Sequence, residues 1–179
     1  MTPTHSGLSA EVFEFIKSKF QQFNIETSVT FLMREPVSRL ESQIKMNLRK
    51  AGTIDTTTAS DMMAILKRQC GSPQDKVRSS YGTTVGRINS VFDERQVFIG
   101  FYETLFTQPE QERLAATFDL NLEKIDAKTK VNHTAKSFTY PKDFIEDLRS
   151  NYEDEYKFAY GEMGLDEAIW EQKLKNLYQ

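Results

Sequence analysis

Two residues in this chain have types and spacing suited to holding an anion: Arg34, and Ser42 eight residues later. Arg34 closes the apolar run Val29-Thr30-Phe31-Leu32-Met33, and Pro36 opens a segment with helical spacing. A guanidinium presents a planar fork of donors that matches phosphate or sulfate, and a serine hydroxyl adds a compact donor. A helix start carries about half a positive charge on its unpaired N–H groups, so cations such as Arg34 and Arg39 are favoured there only when an anion is present. Spacing alone leaves a second reading open, in which Arg34 pairs with Glu35 or Glu41 at the surface and Ser42 is merely solvated.

The elements that position these residues follow from patterning. Val29 to Met33 is short, apolar and rich in β-formers, which predicts a strand buried on both faces, as in a parallel sheet. Proline lacks an N–H and has its φ preset, so Pro36 suits the first position of a helix. In that helix Val37, Leu40, Ile44 and Leu48 form the apolar stripe. Ser38, Ser42, Lys45 and Arg49 form a separate polar stripe, expected to lie outside the core.

The segment Phe31-Leu32-Met33-Arg34-Glu35-Pro36-Val37-Ser38-Arg39, with Ser42, resembles the 3′-phosphate-binding segment of sulfotransferases that use 3′-phosphoadenosine 5′-phosphosulfate. The resemblance implies that Arg34 and Ser42 hold the 3′-phosphate of this donor nucleotide. It implies an α/β fold, a parallel sheet flanked by helices, corresponding to the C-terminal part of the P-loop-like sulfotransferase fold. Downstream, Phe101-Tyr102-Glu103-Thr104-Leu105 resembles the family's Tyr-Glu-Asp-Leu strand end, making Tyr102 a candidate adenosine contact, with a core tyrosine as the other reading. Lys130-Val131-Asn132-His133 and Lys136 lie where the family has a basic loop over the 3′-phosphate. Lys130 is the candidate there, against a solvated lysine loop.

The remaining chain reads mostly as helix. Ser9 is a candidate cap for a helix over about Ala10 to Gln22, with Val12, Phe13, Ile16, Phe20 and Phe23 at helical spacing. Thr58 or Ser60 caps a helix carrying Met62, Ile65 and Leu66, which ends at Gly71 and Pro73. Val77, Tyr81, Val85, Ile88 and Phe92 predict one further helix from Lys76, with Gly82 and Gly86 allowing close packing. Gln96 to Tyr102 is the second strand, and Thr107-Gln108-Pro109-Glu110 fits a capping box before Leu114 and Phe118. Asn121 to Tyr140 is polar and aperiodic, a long loop and candidate lid. Helices follow from Pro141, with Phe144, Leu148, Tyr152 and Tyr156 inward and Trp170 docking the last one.

Composition bounds the function. The chain has 179 residues, enough for one domain, with 13 Phe and 7 Tyr to fill a core. The net charge of −3 argues against a nucleic-acid binder that depends on a broad cationic surface. No run reaches the length of a membrane helix and no signal-peptide layout opens the chain, so the expectation is a cytoplasmic protein without a membrane. Cys70 is the single cysteine, excluding an internal disulfide and a cysteine zinc site, and His5 and His133 lack metal spacing.

The 8 glycines are dispersed, and none follows a strand in a phosphate-cradling pattern. The family's 5′-phosphosulfate loop, with its lysine, and its general base find no counterpart. Two strands alone also make a poor sheet. The expectation is therefore one sulfotransferase-like domain over residues 1–179, N-terminally incomplete, that binds the donor nucleotide. The family transfers a sulfuryl group to an acceptor hydroxyl or amine without a metal. The alternatives are a non-catalytic remnant or binding module, which associates with itself or another chain, and one half of a split enzyme completed by a complementing chain.

Overall fold

The computed structural model describes residues 5–121 and 136–178, and in it the chain forms two compact units. The first contains the described residues up to Met33 and those from Ser80 to Asn121, and the second those from Arg34 to Ser79 and from Lys136 onward. The architecture is α/β, mostly helical, with a small parallel sheet of two strands.

In the first unit β1 (Val29–Met33) pairs in parallel with β2 (Val97–Phe101), in a register running from Val29 opposite Val97 to Met33 opposite Phe101. Both strands were predicted from apolar runs without clear alternation, yet β1 does alternate. Val29, Phe31 and Met33 are buried while Thr30 and Leu32 are half-buried. Helices α1 (Ala10–Gln21), α5 (Tyr81–Asn89) and α6 (Gln108–Phe118) complete the unit. Phe31 meets Tyr81 of α5 edge-on with ring centroids 6.2 Å apart, and Phe13 of α1 meets Phe92 in the same way at 6.2 Å. Phe13 is the one residue of the expected α1 stripe that is buried. Val12, Phe20 and Phe23 are exposed, because only the Phe13 side of α1 packs against α5.

Helix α6 starts at the expected place without the expected capping box. The Thr107 hydroxyl donates to the carbonyl of Thr104 at 2.7 Å instead of accepting from the helix. Glu110 bonds Arg113 one turn on, and Arg113 also donates to the Ile99 carbonyl at 2.7 Å while stacking 4.1 Å over the Phe98 ring. This pair lies over Gly100. A Cβ there would come within 2.6 Å of the Glu110 carboxylate and 2.9 Å of the Phe98 ring.

The described part of the second unit holds the helices α2 (Pro36–Lys50), α3 (Ala59–Gln69), α4 (Pro73–Ser79), α7 (Lys142–Ser150), α8 (Glu153–Lys157) and α9 (Glu167–Lys175), with an isolated parallel bridge between Tyr140 and Tyr178. A π-helical turn over Phe158–Glu162 follows α8 directly. Helix α2 touches α3, α7 and α9, burying the predicted Val37, Leu40 and Ile44 in a core with Met62, Leu66, Ile145, Leu148 and Trp170. Thr58 caps α3, with Asp61 returning the bond to the Thr58 N–H in a complete capping box.

The single helix expected from Lys76 is two helices. Helix α4 ends where the Ser79 hydroxyl donates to the Asp75 carbonyl, and Ser80 leaves helical geometry with ψ 74° before α5 begins. Val77 is consequently exposed while Tyr81, Val85 and Ile88 are buried. Gly86 has open space where a Cβ would stand, so it does not serve close packing.

Two glycine substitutions should therefore act in opposite directions. Gly86→Ala is expected to raise stability by about 0.4–1 kcal/mol, by removing a flexible residue from a helix. Gly100→Ala is expected to lower it by about 1–3 kcal/mol by displacing the Glu110–Arg113 pair. Urea unfolding midpoints check both, and equal signs would contradict the packing described.

Candidate functional site

The segment from β1 into α2 forms as its sequence predicts: strand to Met33, then Arg34 and Glu35, then a helix with Pro36 in its first turn. The residue that dominates this junction is Glu35, which the sequence offered only as a surface partner for Arg34. It is fully buried. Its carboxylate caps α2, accepting from the backbone N–H of Val37 at 3.0 Å and of Ser38 at 2.6 Å. The Tyr156 hydroxyl donates a further short hydrogen bond to the same carboxylate.

The helix start is thus capped by an internal carboxyl group, and the N–H groups of Val37 and Ser38 are occupied. Ser38, expected on the outward polar stripe, is buried with them. Burial pushes the Glu35 carboxyl above the usual carboxylate range, and the bonds from Ser38, Tyr156 and Val37 pull it back.

Glu41 repeats the pattern one and a half turns on. It is buried and accepts from the Tyr140 hydroxyl at 3.1 Å. Burial raises its pKa, while the charges of Lys45 and Arg34 and the Tyr140 bond lower it. Arg34 and Lys45 therefore both act on one carboxylate beside the α2 start, with the Lys45 ammonium 3.8 Å from Glu41. Ser42 follows on the helix and is half-buried. Among the described residues its hydroxyl has no hydrogen-bond partner.

Arg39, the second arginine at the helix start, is committed elsewhere in the unit. It forms a short ion pair with Asp75, which also accepts from the Gly71 N–H at 2.9 Å and the Tyr152 hydroxyl at 2.6 Å. Asp75 is buried and is a further residue that the sequence reading passed over. The phenols of Tyr140, Tyr152 and Tyr156 are all held well above the usual tyrosine range, first by burial and then by the carboxylates they face. All three therefore stay protonated and act as donors.

Tyr102 belongs to the first unit, where its ring is exposed and meets Phe106 edge-on at 6.1 Å. Its N–H donates to the Met33 carbonyl at 2.7 Å, one step past the sheet register. Lys130 and His133, with most of the expected loop, lie outside the described residues. Lys136 is described, and its ammonium donates to the carbonyls of Asp55 and Thr57 at 2.7 and 2.8 Å, tying down the turn before α3.

No group of His, Cys, Asp or Glu among the described residues is arranged to hold a metal ion, and none of their helices is long and apolar enough to cross a membrane. Comparison of the chain with protein-family models, curated proteins and solved structures finds no match.

The two raised carboxyls set a pH dependence. A native state that holds a proton more tightly than the unfolded chain is most stable below the unfolded pKa and loses that advantage as pH rises through the native one. Glu35 and Glu41 should make stability fall as pH rises from roughly 4.3, the ordinary glutamate value, towards neutral. Glu11 and Asp61, held low by bonds with Ser9 and Thr58, act in the opposite sense in the more acid window below their ordinary values. The variant Glu35→Gln/Glu41→Gln should flatten the fall above pH 4.3, as read from urea midpoints across pH. An unchanged slope would contradict the assignment.

Proposed function

We propose that this chain binds 3′-phosphoadenosine 5′-phosphosulfate, or the bisphosphate left after transfer, by gripping its 3′-phosphate with Arg34 and Ser42 as a sulfotransferase-like α/β protein. The observation that carries this reading is the run of strand, arginine and proline-started helix from Val29 to Lys50, with the Ser42 hydroxyl unpartnered among the described residues. Arg34 is the first residue past the carboxyl end of β1, and ligand sites in parallel α/β sheets gather outside the carboxyl ends of strands. The parallel β1–β2 pairing and the helices beside it suit the later part of a sulfotransferase fold.

On this reading the phosphate would be held in a specific way. With Glu35 on the N–H groups of Val37 and Ser38, the anion is held by side chains rather than by the helix start. Arg34 supplies charge and two parallel donors, Ser42 one donor, and Lys45 a second cation on the same helix. Glu41 opposes the anion, and the charges of Lys45 and Arg34 beside it offset part of that opposition.

The bound nucleotide would supply the activated sulfuryl group, and transfer to a hydroxyl or amine further requires a general base and a loop on the 5′-phosphosulfate. The sequence contains neither pattern. The chain's own role on this reading is to anchor the nucleotide.

Calorimetric titration with 3′-phosphoadenosine 5′-phosphate tests it. Saturable binding is expected, about tenfold or more weaker in Arg34→Ala and weaker by a smaller factor in Ser42→Ala. Glu41→Gln should bind more tightly. Adenosine 5′-phosphate, which lacks the 3′-phosphate, should bind no better than the Arg34→Ala variant binds the bisphosphate. Absence of binding by the folded chain, or binding indifferent to Arg34, would overturn the proposal.

A further inference from the structure

A concave site lies within the helical unit, and neither Arg34 nor Ser42 lines it. Leu40 and Gln43 of α2, Arg68 and Gln69 of α3, and Ser72, Gln74, Asp75 and Arg78 around α4 line a hollow of about 360 Å³. That volume is at the small end of the range of about 300–1,000 Å³ typical of ligand pockets.

The lining is unusual in how few of its polar groups are used. Among the described residues, the side chains of Arg68, Arg78, Gln69 and Gln74 have no hydrogen-bond or ion-pair partner. Gln43 accepts from Arg39 at 3.2 Å through its carbonyl oxygen, which leaves its amide N–H2 to donate. Ser72 accepts from the Asp75 N–H at 3.3 Å, so its hydroxyl proton is also available. The one acid among the described lining residues is already answered. Asp75 is paired with Arg39 and accepts from Gly71 and Tyr152, so Arg68 and Arg78 are not neutralised from within.

We infer that this hollow binds a sugar phosphate, with Arg68 and Arg78 on the phosphate and the glutamine amides on the hydroxyls. Two guanidiniums on one hollow suit a dianionic phosphate, which each can grip with a fork of donors. Amide side chains both donate and accept, which matches hydroxyl groups along a sugar. Among the described residues Leu40 is the only apolar side chain in the lining and none is aromatic, so these residues give a nucleobase no stacking surface. That separates this ligand from the donor nucleotide proposed for Arg34, and the inference does not rest on that proposal.

The test titrates the full chain with glucose 6-phosphate and ribose 5-phosphate, with inorganic phosphate and glucose as comparisons. One or both sugar phosphates should bind saturably and more tightly than phosphate or glucose. Arg68→Ala and Arg78→Ala should each weaken this by about tenfold or more, the loss of one charge-assisted contact. Gln69→Ala should weaken the sugar phosphate and leave inorganic phosphate unchanged. Arg34→Ala should leave all of it unchanged, which separates the two sites. Arg68 is exposed, and circular dichroism confirms that its variant is folded. No binding, binding indifferent to both arginines, or phosphate binding as tightly as its esters would overturn the inference.

Discussion

The carboxylate of Glu35 is the constraint on which the helical unit depends. It is buried, it caps α2 through two backbone N–H groups, and it receives the Tyr156 hydroxyl from α8. A charge taken out of water is strongly unfavourable unless its lone pairs are satisfied. Here three donors satisfy them, so α2 and α8 are tied at a fixed point. Tyr140 on Glu41 and Tyr152 on Asp75 repeat the device, and Arg39 joins the last of these to α2. Helix α2 is thus fixed at its start, its first turns and its middle by buried acids, each facing a tyrosine from the last forty residues.

This device decides what kind of anion site the helix start can offer. An uncapped helix start binds phosphate with backbone N–H groups, whereas α2 presents those groups to its own glutamate. Any anion beside it depends on side chains, and the supply of these is narrow because Arg39 is committed to Asp75. Arg34 just before α2, and Ser42 and Lys45 on it, are the side chains beside this start, with Glu41 among them held above the usual carboxylate range by burial. The hollow beside α4 differs, since its arginines Arg68 and Arg78 and the amides of Gln69 and Gln74 have no partner among the described residues.

Much of this was legible in the sequence because it is local. The strand at Val29, the proline-started helix, the Thr58 cap and the buried Trp170 follow from periodicity and from turn and cap chemistry over a few residues. The division at Ser80 escaped notice because Val77, Tyr81 and Val85 keep helical spacing across the break. The exposure of Phe20 and Phe23 escaped because spacing says which residues share a face and not whether anything covers it. The acid–tyrosine pairs were the least legible. Their partners lie 77, 99 and 121 residues apart, and no local pattern joins them. A glutamate directly before a first-turn proline was the one available hint, since that position is where a helix cap sits.

A double-mutant cycle across Glu35 and Tyr156 tests this account most directly. Glu35→Gln, Tyr156→Phe and the double variant would be compared by urea unfolding at neutral pH. The predicted result is a coupling of about 0.5–3 kcal/mol, the double variant losing less than the sum of the single losses, as expected of residues in one buried hydrogen-bond network. Additive losses would mean that the two side chains act independently and that α2 is not held in place through its buried cap.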